Sequence, residues 1–342
     1  MAASISPNHN GTSPVTINPM KRKLILSAAR ILGMVIVLVE MAGCFIAQPS
    51  FRRNHPSTVS VAVDRLKVHV NTLSRTFHPR DWEHPDNLSN CADYIAAQFA
   101  HAGAAVEPQE FKVRGKRYRN VIGRFGVGRG SKVVVGAHYD TCGETPGADD
   151  NASGIAALIE LAYLAGKNAP RREVELVAYV LEEPPFFRTS YMGSAVHAGS
   201  IAGGKSGIAG VIVLEMVGCF SDGKGSQSYP SPVLRAFYPS RGNFIAVAGR
   251  WDQGDWIKAV KVGMQGATSL PVYSIRAPTF LPGIDFSDHI NYWPYGIKAA
   301  MVTDTSFYRN KAYHESGDTP ERLDYDRMSK VVVAVFEALG NQ

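Results

Sequence analysis

Between Val133 and Gly154 the chain reads VVVGAHYDTCGETPGADDNASG. It opens as an uninterrupted apolar run, the pattern of a strand covered on both faces of a sheet. A loop carrying His138, Asp140, Asp149 and Asp150 follows, and then the apolar run Ile155–Leu164 of a helix. Ionisable groups placed at the end of a buried strand need partners, because an unpaired charge away from water is strongly unfavourable. They must meet one another, other charged groups or a cation. The segment therefore suits an open sheet whose strand ends converge on a crevice.

The rest of the chain supplies such a sheet. Leu88, Ala92, Ile95 and Phe99 share one helical face, with Gly103 as a stop. Val106–Val113, Asn120–Phe125, Lys132–Ala137, Val174–Leu181, Gly210–Glu215, Phe244–Ala248 and Ala299–Thr303 read as strands. Ile155–Leu164 is predicted as a helix capped by Asn151 or Ser153 and stopped at Gly166. Asp324 caps a last helix running to Gly340. Alternating strands and helices predict an α/β fold with a mostly parallel sheet. The Gly/Pro/Ser-rich stretches 184–206, 219–243 and 263–287 are expected to be loops lining the site.

Composition narrows the function. The 342 residues, 45% hydrophobic and 19% charged, fit one large domain or two. The net charge is +6, but the basic residues are scattered and accompany no stacking-aromatic or helix-turn-helix pattern, so nucleic acid is not an expected partner. Four dispersed cysteines, Cys44, Cys91, Cys142 and Cys219, build neither a disulfide scaffold nor a thiolate zinc knuckle. Cys142 is read as a small packing residue. Any metal must be held by His and carboxylates.

At the N-terminal side, residues 1–20 are polar and expected to be disordered. Residues 21–47, KRKLILSAARILGMVIVLVEMAGCFIA, combine a basic start, an apolar run and small residues, as in an export signal. The uninterrupted apolar run Ile31–Val39 is short for a span, though Leu24–Ala47 suffices if Arg30 and Glu40 are tolerated. Met-Ala-Gly-Cys ending at Cys44 resembles a bacterial lipobox. A signal peptide, a lipoprotein anchor and a membrane anchor each predict an exported protein, periplasmic or extracellular, touching membrane only through this segment. Residues 48–60 read as a linker, and 61–342 as the catalytic domain.

Potential metal ligands fall just past strand ends: His138 and Asp140, Glu182 and Glu183, Glu215, and His314 within YHESGDT. Imidazole and carboxylate suit zinc, and three protein ligands per ion leave a position for water. Two ions with one bridging carboxylate need about five ligands, and His138, Asp150, Glu183, Glu215 and His314 are candidates. Glu182 is then left as a general base. Asp140 is placed to orient His138 through its second ring nitrogen, and Asp288 with His289 to do the same for His314. Asp149 reads as a turn or capping residue. Phe186, Phe187, Tyr191, Phe220 and Tyr308 are candidates for an apolar specificity pocket or for loop packing.

The set HYD, GADDNASG, EE, a carboxylate after VIVL, and YH resembles the co-catalytic di-zinc aminopeptidases, which include bacterial secreted leucyl aminopeptidases. Relatives of that family include glutaminyl cyclases, glutamate carboxypeptidases and non-catalytic transferrin-receptor-like proteins. The resemblance covers about Val61 to the C-terminus. It implies a three-layer α/β/α fold of the zinc-exopeptidase kind, two zinc ions and peptide substrates with a free N-terminus. It makes Asp150 the bridging carboxylate, with a cis Asp150–Asn151 peptide, and Tyr313 an oxyanion donor. Two features depart from the family's pattern: Glu215 stands where Asp is usual, and EE is followed by PPFFRTSYMGS. Beside the aminopeptidase, the sequence leaves room for a zinc-dependent glutaminyl cyclase and for a non-catalytic extracellular binding module. A metallo-carboxypeptidase or deacylase family that also uses HxD and EE fits less well, because its bridging Asp lies much further from HxD than Asp150 lies from His138.

Overall fold

Arg30 and Glu40 do not interrupt the N-terminal helix, because both side chains are good helix formers. In the computed structural model, which describes residues 19–50 and 55–340, α1 runs unbroken over Pro19–Ala47. Residues 1–18 of the expected disordered stretch and 51–54 of the expected linker lie outside the described residues. Met20–Ala47 is long and apolar enough to cross a membrane, which fits a signal peptide or a membrane anchor.

The chain divides into two compact units after Cys44, not near residue 60. Phe45–Ser50 is built into the second unit. Ser274 Oγ donates to the Ala47 carbonyl at 2.9 Å, Gln48 Nε2 donates to the Gly254 carbonyl at 2.8 Å, and Lys261 Nζ reaches the Gln48 carbonyl. Ser57 follows suit, its N–H donating to the Ala267 carbonyl at 2.9 Å. These polar anchors make the described parts of the expected linker a component of the body.

The body contains α2 (Val63–Asn71), α3 (Pro85–His101), β1 (Ala105–Val113), β2 (Lys116–Phe125), β3 (Lys132–His138), α4 (Gly154–Lys167) and β4 (Val174–Tyr179). It continues with α5 (Gly193–Ile201), β5 (Ile208–Glu215), β6 (Ile245–Arg250), α6 (Gly254–Met264), β7 (Val272–Ala277), β8 (Ala299–Thr303) and α7 (Tyr325–Gly340). The strands form one sheet in the order β1-β2-β4-β3-β5-β8-β6-β7. Its centre is parallel, with β3 beside β4 and β5, and β5 beside β8. β1, β2 and β4 pair antiparallel, and so do β6 and β8. The predicted α/β fold with a mostly parallel sheet that also carries antiparallel strands therefore holds.

One face carries α2, α3, α4, α6 and α7, packed on the larger core through Leu66, Ile95, Phe99, Ile155, Leu158, Ile257 and Val335. The other carries α5 and the short helix Asp288–Tyr295 over Ile122, Val134, Val177, Val211 and Val213. β3 is covered on both sides, which is why its sequence shows no alternation.

Two stretches expected to be loops contain regular structure. α5, GSAVHAGSI, lies within 184–206; its Gly and Ser content hides a helix that packing holds. β7 lies within 263–287, confined between Pro271 and Pro278. Nor does Gly166 stop α4. A Cβ there would meet the Ala102 carbonyl oxygen at 1.9 Å, so the glycine serves a close approach of backbone to helix.

Candidate active site

His138, Glu182, Glu183 and Glu215 are delivered at or just past strand ends, while Asp150 and His314 come from loops. β3 ends at His138. After β4, Leu181 takes a φ of 65°, a left-handed conformation a leucine rarely adopts, and this turn presents both Glu182 and Glu183 to one crevice. β5 ends at Glu215, and Met216 has a φ of 49°; His314 itself has a φ of 57°. Three non-glycine residues at positive φ thus lie at or beside the acidic and imidazole groups.

Asp150 is set by a heavily cross-linked loop. Gly147 opens it at φ 54°, and a Cβ there would meet the Asp150 carbonyl at 2.3 Å. The Asp150–Asn151 peptide is cis, as the resemblance implied. Asp318 accepts the backbone N–H groups of Asp149 and Asp150, both at 3.0 Å. Asn151 ties the loop to β5: its Nδ2 donates to the Leu214 carbonyl at 2.9 Å, and its Oδ1 accepts from Met216 and Gly154 N–H at 3.1 Å. That last bond fulfils the expected Asn151 cap.

The result is two adjoining clusters. His138 Nε2 lies 3.3 Å from Asp150 Oδ1 and 3.4 Å from Glu215 Oε2. His314 Nε2 lies 3.2 Å from both Asp150 Oδ2 and Glu183 Oε2. Asp150 thus faces both imidazoles, one oxygen each. Glu182 stands back, 3.9 Å from His138 Nε2. Buried atoms His138 Nε2, Asp150 Oδ1, Glu183 Oε1 and His314 Nε2 have no hydrogen-bond partner, which is the condition of a donor set built for a cation. Burial opposes ionisation of His138, yet the charges of Glu215 and Glu182, with the Asp140 and Asp150 carboxylates close by, hold its imidazole well above the usual range. Burial also works to raise the Asp150 carboxyl, but the close approach and charges of both histidines outweigh it and hold it low. Burial, then the Asp150 charge, pushes Glu183 up to about 7. The site attracts positive charge, and its donors suit zinc.

Asp288 and His289 lie elsewhere than the sequence reading put them, and Asp140 holds more than His138. The Asp140 carboxylate accepts the Glu182 and Glu183 N–H groups at 3.2 and 3.0 Å, locking the acidic pair. Asp140 also orients His138: the Nδ1–H donates to the Asp140 backbone carbonyl at 3.2 Å, with the Asp140 carboxylate 3.6 Å away, which turns Nε2 toward Asp150 and Glu215. Asp288, fully buried, sits on the His138 side, where burial raises it to about 7 and His138, Asp140 and Glu215 act on it. His289 turns to the Ile284 carbonyl at 2.8 Å. Neither therefore orients His314, as their place in the sequence had suggested. Asp149 braces the loop, accepting Gly218 N–H at 2.9 Å and Asn310 Nδ2 at 3.0 Å. Tyr313 stacks on His314 with ring centroids 3.8 Å apart. Burial, then Asp150 and Glu183, raises its phenol.

Several supporting residues escaped the sequence reading. Ser287 Oγ donates to Glu215 Oε2 at 2.7 Å, which steadies the longer side chain standing where the family has Asp. Arg80, 1% exposed, donates to the carbonyls of Tyr139, Leu73, Pro146 and Gly147. Its distance in sequence gave no signal. Asp318 did carry one, in the GDT that follows His314.

Beside the clusters opens a cavity of about 300 Å³. Its lining joins Glu182, Glu183, Glu215 and His314 to the apolar Phe187, Tyr229, Leu234, Phe244, Ala246, Ala248, Tyr273, Ile275, Phe286, Met301, Phe307 and Tyr308. Of the five aromatics expected there, Phe187 and Tyr308 contribute. Phe186 is buried against Trp82, Tyr191 packs on Phe186, and Phe220 lies under Arg309.

Known proteins share this arrangement in sequence and fold. Residues 120–339 match the model of Peptidase family M28. The chain is 43% identical over 320 residues to the uncharacterized protein YfbL of Escherichia coli K12, covering 91% of this chain and 98% of that one. It is 26% identical to a probable leucine aminopeptidase of Trichophyton verrucosum, over 65% of this chain and 57% of that one. Its fold is similar to the LapA aminopeptidase of Legionella pneumophila (TM-score 0.64, 19% identity, 82% of this chain and 73% of that one). A glutaminyl cyclase of Bacteroides thetaiotaomicron is comparably similar (TM-score 0.63, 19% identity, 84% and 100%). With a family match over most of its length and a body whose strand ends gather the acidic and imidazole groups into one crevice, the chain belongs to Peptidase family M28.

Proposed function

We propose that this protein is a zinc-dependent aminopeptidase that removes apolar residues from the free N-terminus of peptides. The observation that carries the reading is the pair of His–carboxylate clusters sharing Asp150, with Glu182 set back from them and lining a largely apolar cavity. His138, Asp150 and Glu215 would hold one zinc, and His314, Asp150 and Glu183 the other. Bound zinc supplies an acidified water and a Lewis acid for the scissile carbonyl.

The chain's own residues do the rest. Glu182 takes the proton of the attacking water and returns it to the departing amine. Asp140 keeps Glu182 and Glu183 side by side through their backbone N–H groups. Ser287 holds Glu215 in reach. Tyr313 donates its phenol to the developing oxyanion. The carboxylates lining the cavity receive the substrate ammonium, and the cavity takes its first side chain, which its aromatic and aliphatic lining requires to be apolar.

The test incubates the full-length, zinc-loaded chain in detergent with peptides bearing a free Leu, a free Gln or an acetylated N-terminus, read by mass. Loss of single N-terminal residues from free-amine peptides alone, stopped by chelation and restored by zinc, supports the reading. Loss of ammonia from the Gln peptide, without hydrolysis, replaces it with a glutaminyl cyclase. No change in any peptide with zinc bound leaves a binding module.

A further inference from the structure

Cys142 looks unremarkable in the sequence, yet the structure puts it at the acidic site. Its Sγ, an imidazole nitrogen of His314 and a carboxylate oxygen of Glu183 all lie within 4.8 Å of one another. The thiol is free and half-buried. Its loop is held on both sides: Thr141 N–H donates to the Arg80 carbonyl at 3.1 Å, and Arg80 grips the Pro146 and Gly147 carbonyls in return. Glu183, 4% exposed, brings a carboxylate oxygen into this cluster, and its Oε1 is buried with no hydrogen-bond partner.

We propose that Cys142 is a thiolate donor to the metal position on the His314 side. This rests on the zinc reading above. On binding, the thiol releases its proton to solvent and a metal–sulfur bond forms, with no change of oxidation state. The His314 side then has four protein donors, Asp150, Glu183, His314 and Cys142, the count of closed, retentive zinc sites. The His138 side keeps three and an open position, and Glu182 stands on that side, 3.9 Å from His138. The two positions are therefore unequal: one retains its ion, the other handles water. A thiolate also selects zinc or cadmium over manganese or magnesium on the His314 side.

Cobalt separates the possibilities. The full-length chain, stripped by chelator, is titrated with Co²⁺ anaerobically and followed optically. The expected result is two bound equivalents, one of them bringing a near-ultraviolet sulfur-to-cobalt charge-transfer band. That band is lost in Cys142→Ser and kept in Cys219→Ser. Two equivalents with visible cobalt bands but no charge-transfer band, or a band that survives Cys142→Ser, overturns the thiolate while the metal site stands. No cobalt binding overturns both readings. A second measurement needs no variant: alkylation of the wild-type chain, mapped by mass, should be slowed at Cys142 by about tenfold or more when zinc is bound. Equal rates with and without zinc overturn the proposal.

Discussion

Glu182 and Glu183 are adjacent in sequence, share Asp140 as backbone anchor and face one crevice, yet only Glu183 touches His314. The proposed division of labour makes Glu182→Gln informative. It should bind zinc at wild-type stoichiometry and lose turnover by about 10²–10⁴-fold, the usual contribution of a general base; metal analysis and kcat check it, and a loss within a few-fold removes Glu182 from that role. Asp318 is the opposite case, a residue away from the chemistry whose carboxylate fixes the N–H groups of Asp149 and Asp150. Asp318→Ala should weaken zinc retention by displacing Asp150, measured as faster transfer of zinc to a competing chelator. Unchanged retention would show that Asn151 and Gly147 hold the loop alone. At this scale the candidate ligands were legible, because buried strand ends rarely carry ionisable groups without cause. The braces were not: Ser287, Arg80 and Asp318 act through backbone or through a distant carboxylate, and nothing in their local sequence marks that.

The elements around the site are held by buried charge as well as by apolar packing. Arg80 gives its guanidinium to carbonyls of the α2-side segment and of the metal loop. Arg80→Met removes those bonds and should cost about 3 kcal/mol, seen as a lowered Tm; an unchanged Tm would mean that other groups satisfy the carbonyls. β4 offers a pH test. Glu175, fully buried, pairs with His197 at 3.2 Å, Arg124 at 2.7 Å and Lys132 at 2.8 Å. Burial acts to raise its carboxyl, and these partners overcome it and hold it below the ordinary range. A depressed folded pKa adds stability that is present above the unfolded value of roughly 4.3 and fades as pH falls through the folded one. Glu175→Gln should therefore lower Tm by a constant amount above about pH 5 and by less below about pH 4; a difference that grows on acidification would contradict the pairing. The buried strands and α4 were readable from apolar runs. α5 and β7 were not, since tertiary cover rather than local propensity holds them.

Across the whole molecule, the sheet divides its tasks. The ends of β3 and β5, and the turn just past β4, bring His138, Glu182, Glu183 and Glu215, while β6, β7 and β8 give Ala246, Ala248, Tyr273, Ile275 and Met301 to the cavity. Ala246→Phe should fill that space, raising KM for Leu-terminal peptides by about tenfold or more while sparing Ala-terminal ones; an equal effect on both would place the substrate side chain elsewhere. The α/β class was legible from the order of strands and helices and the three layers from the family resemblance, whereas the cavity was only hinted at, because its walls come from segments distant in sequence. This separation has a bearing on descent. A lineage can alter the walls on β6 and β7 and meet a new diet of peptides while the β3–β5 side stays under purifying selection. Paralogues of this chain should accordingly diverge in what they digest far sooner than in how they digest it.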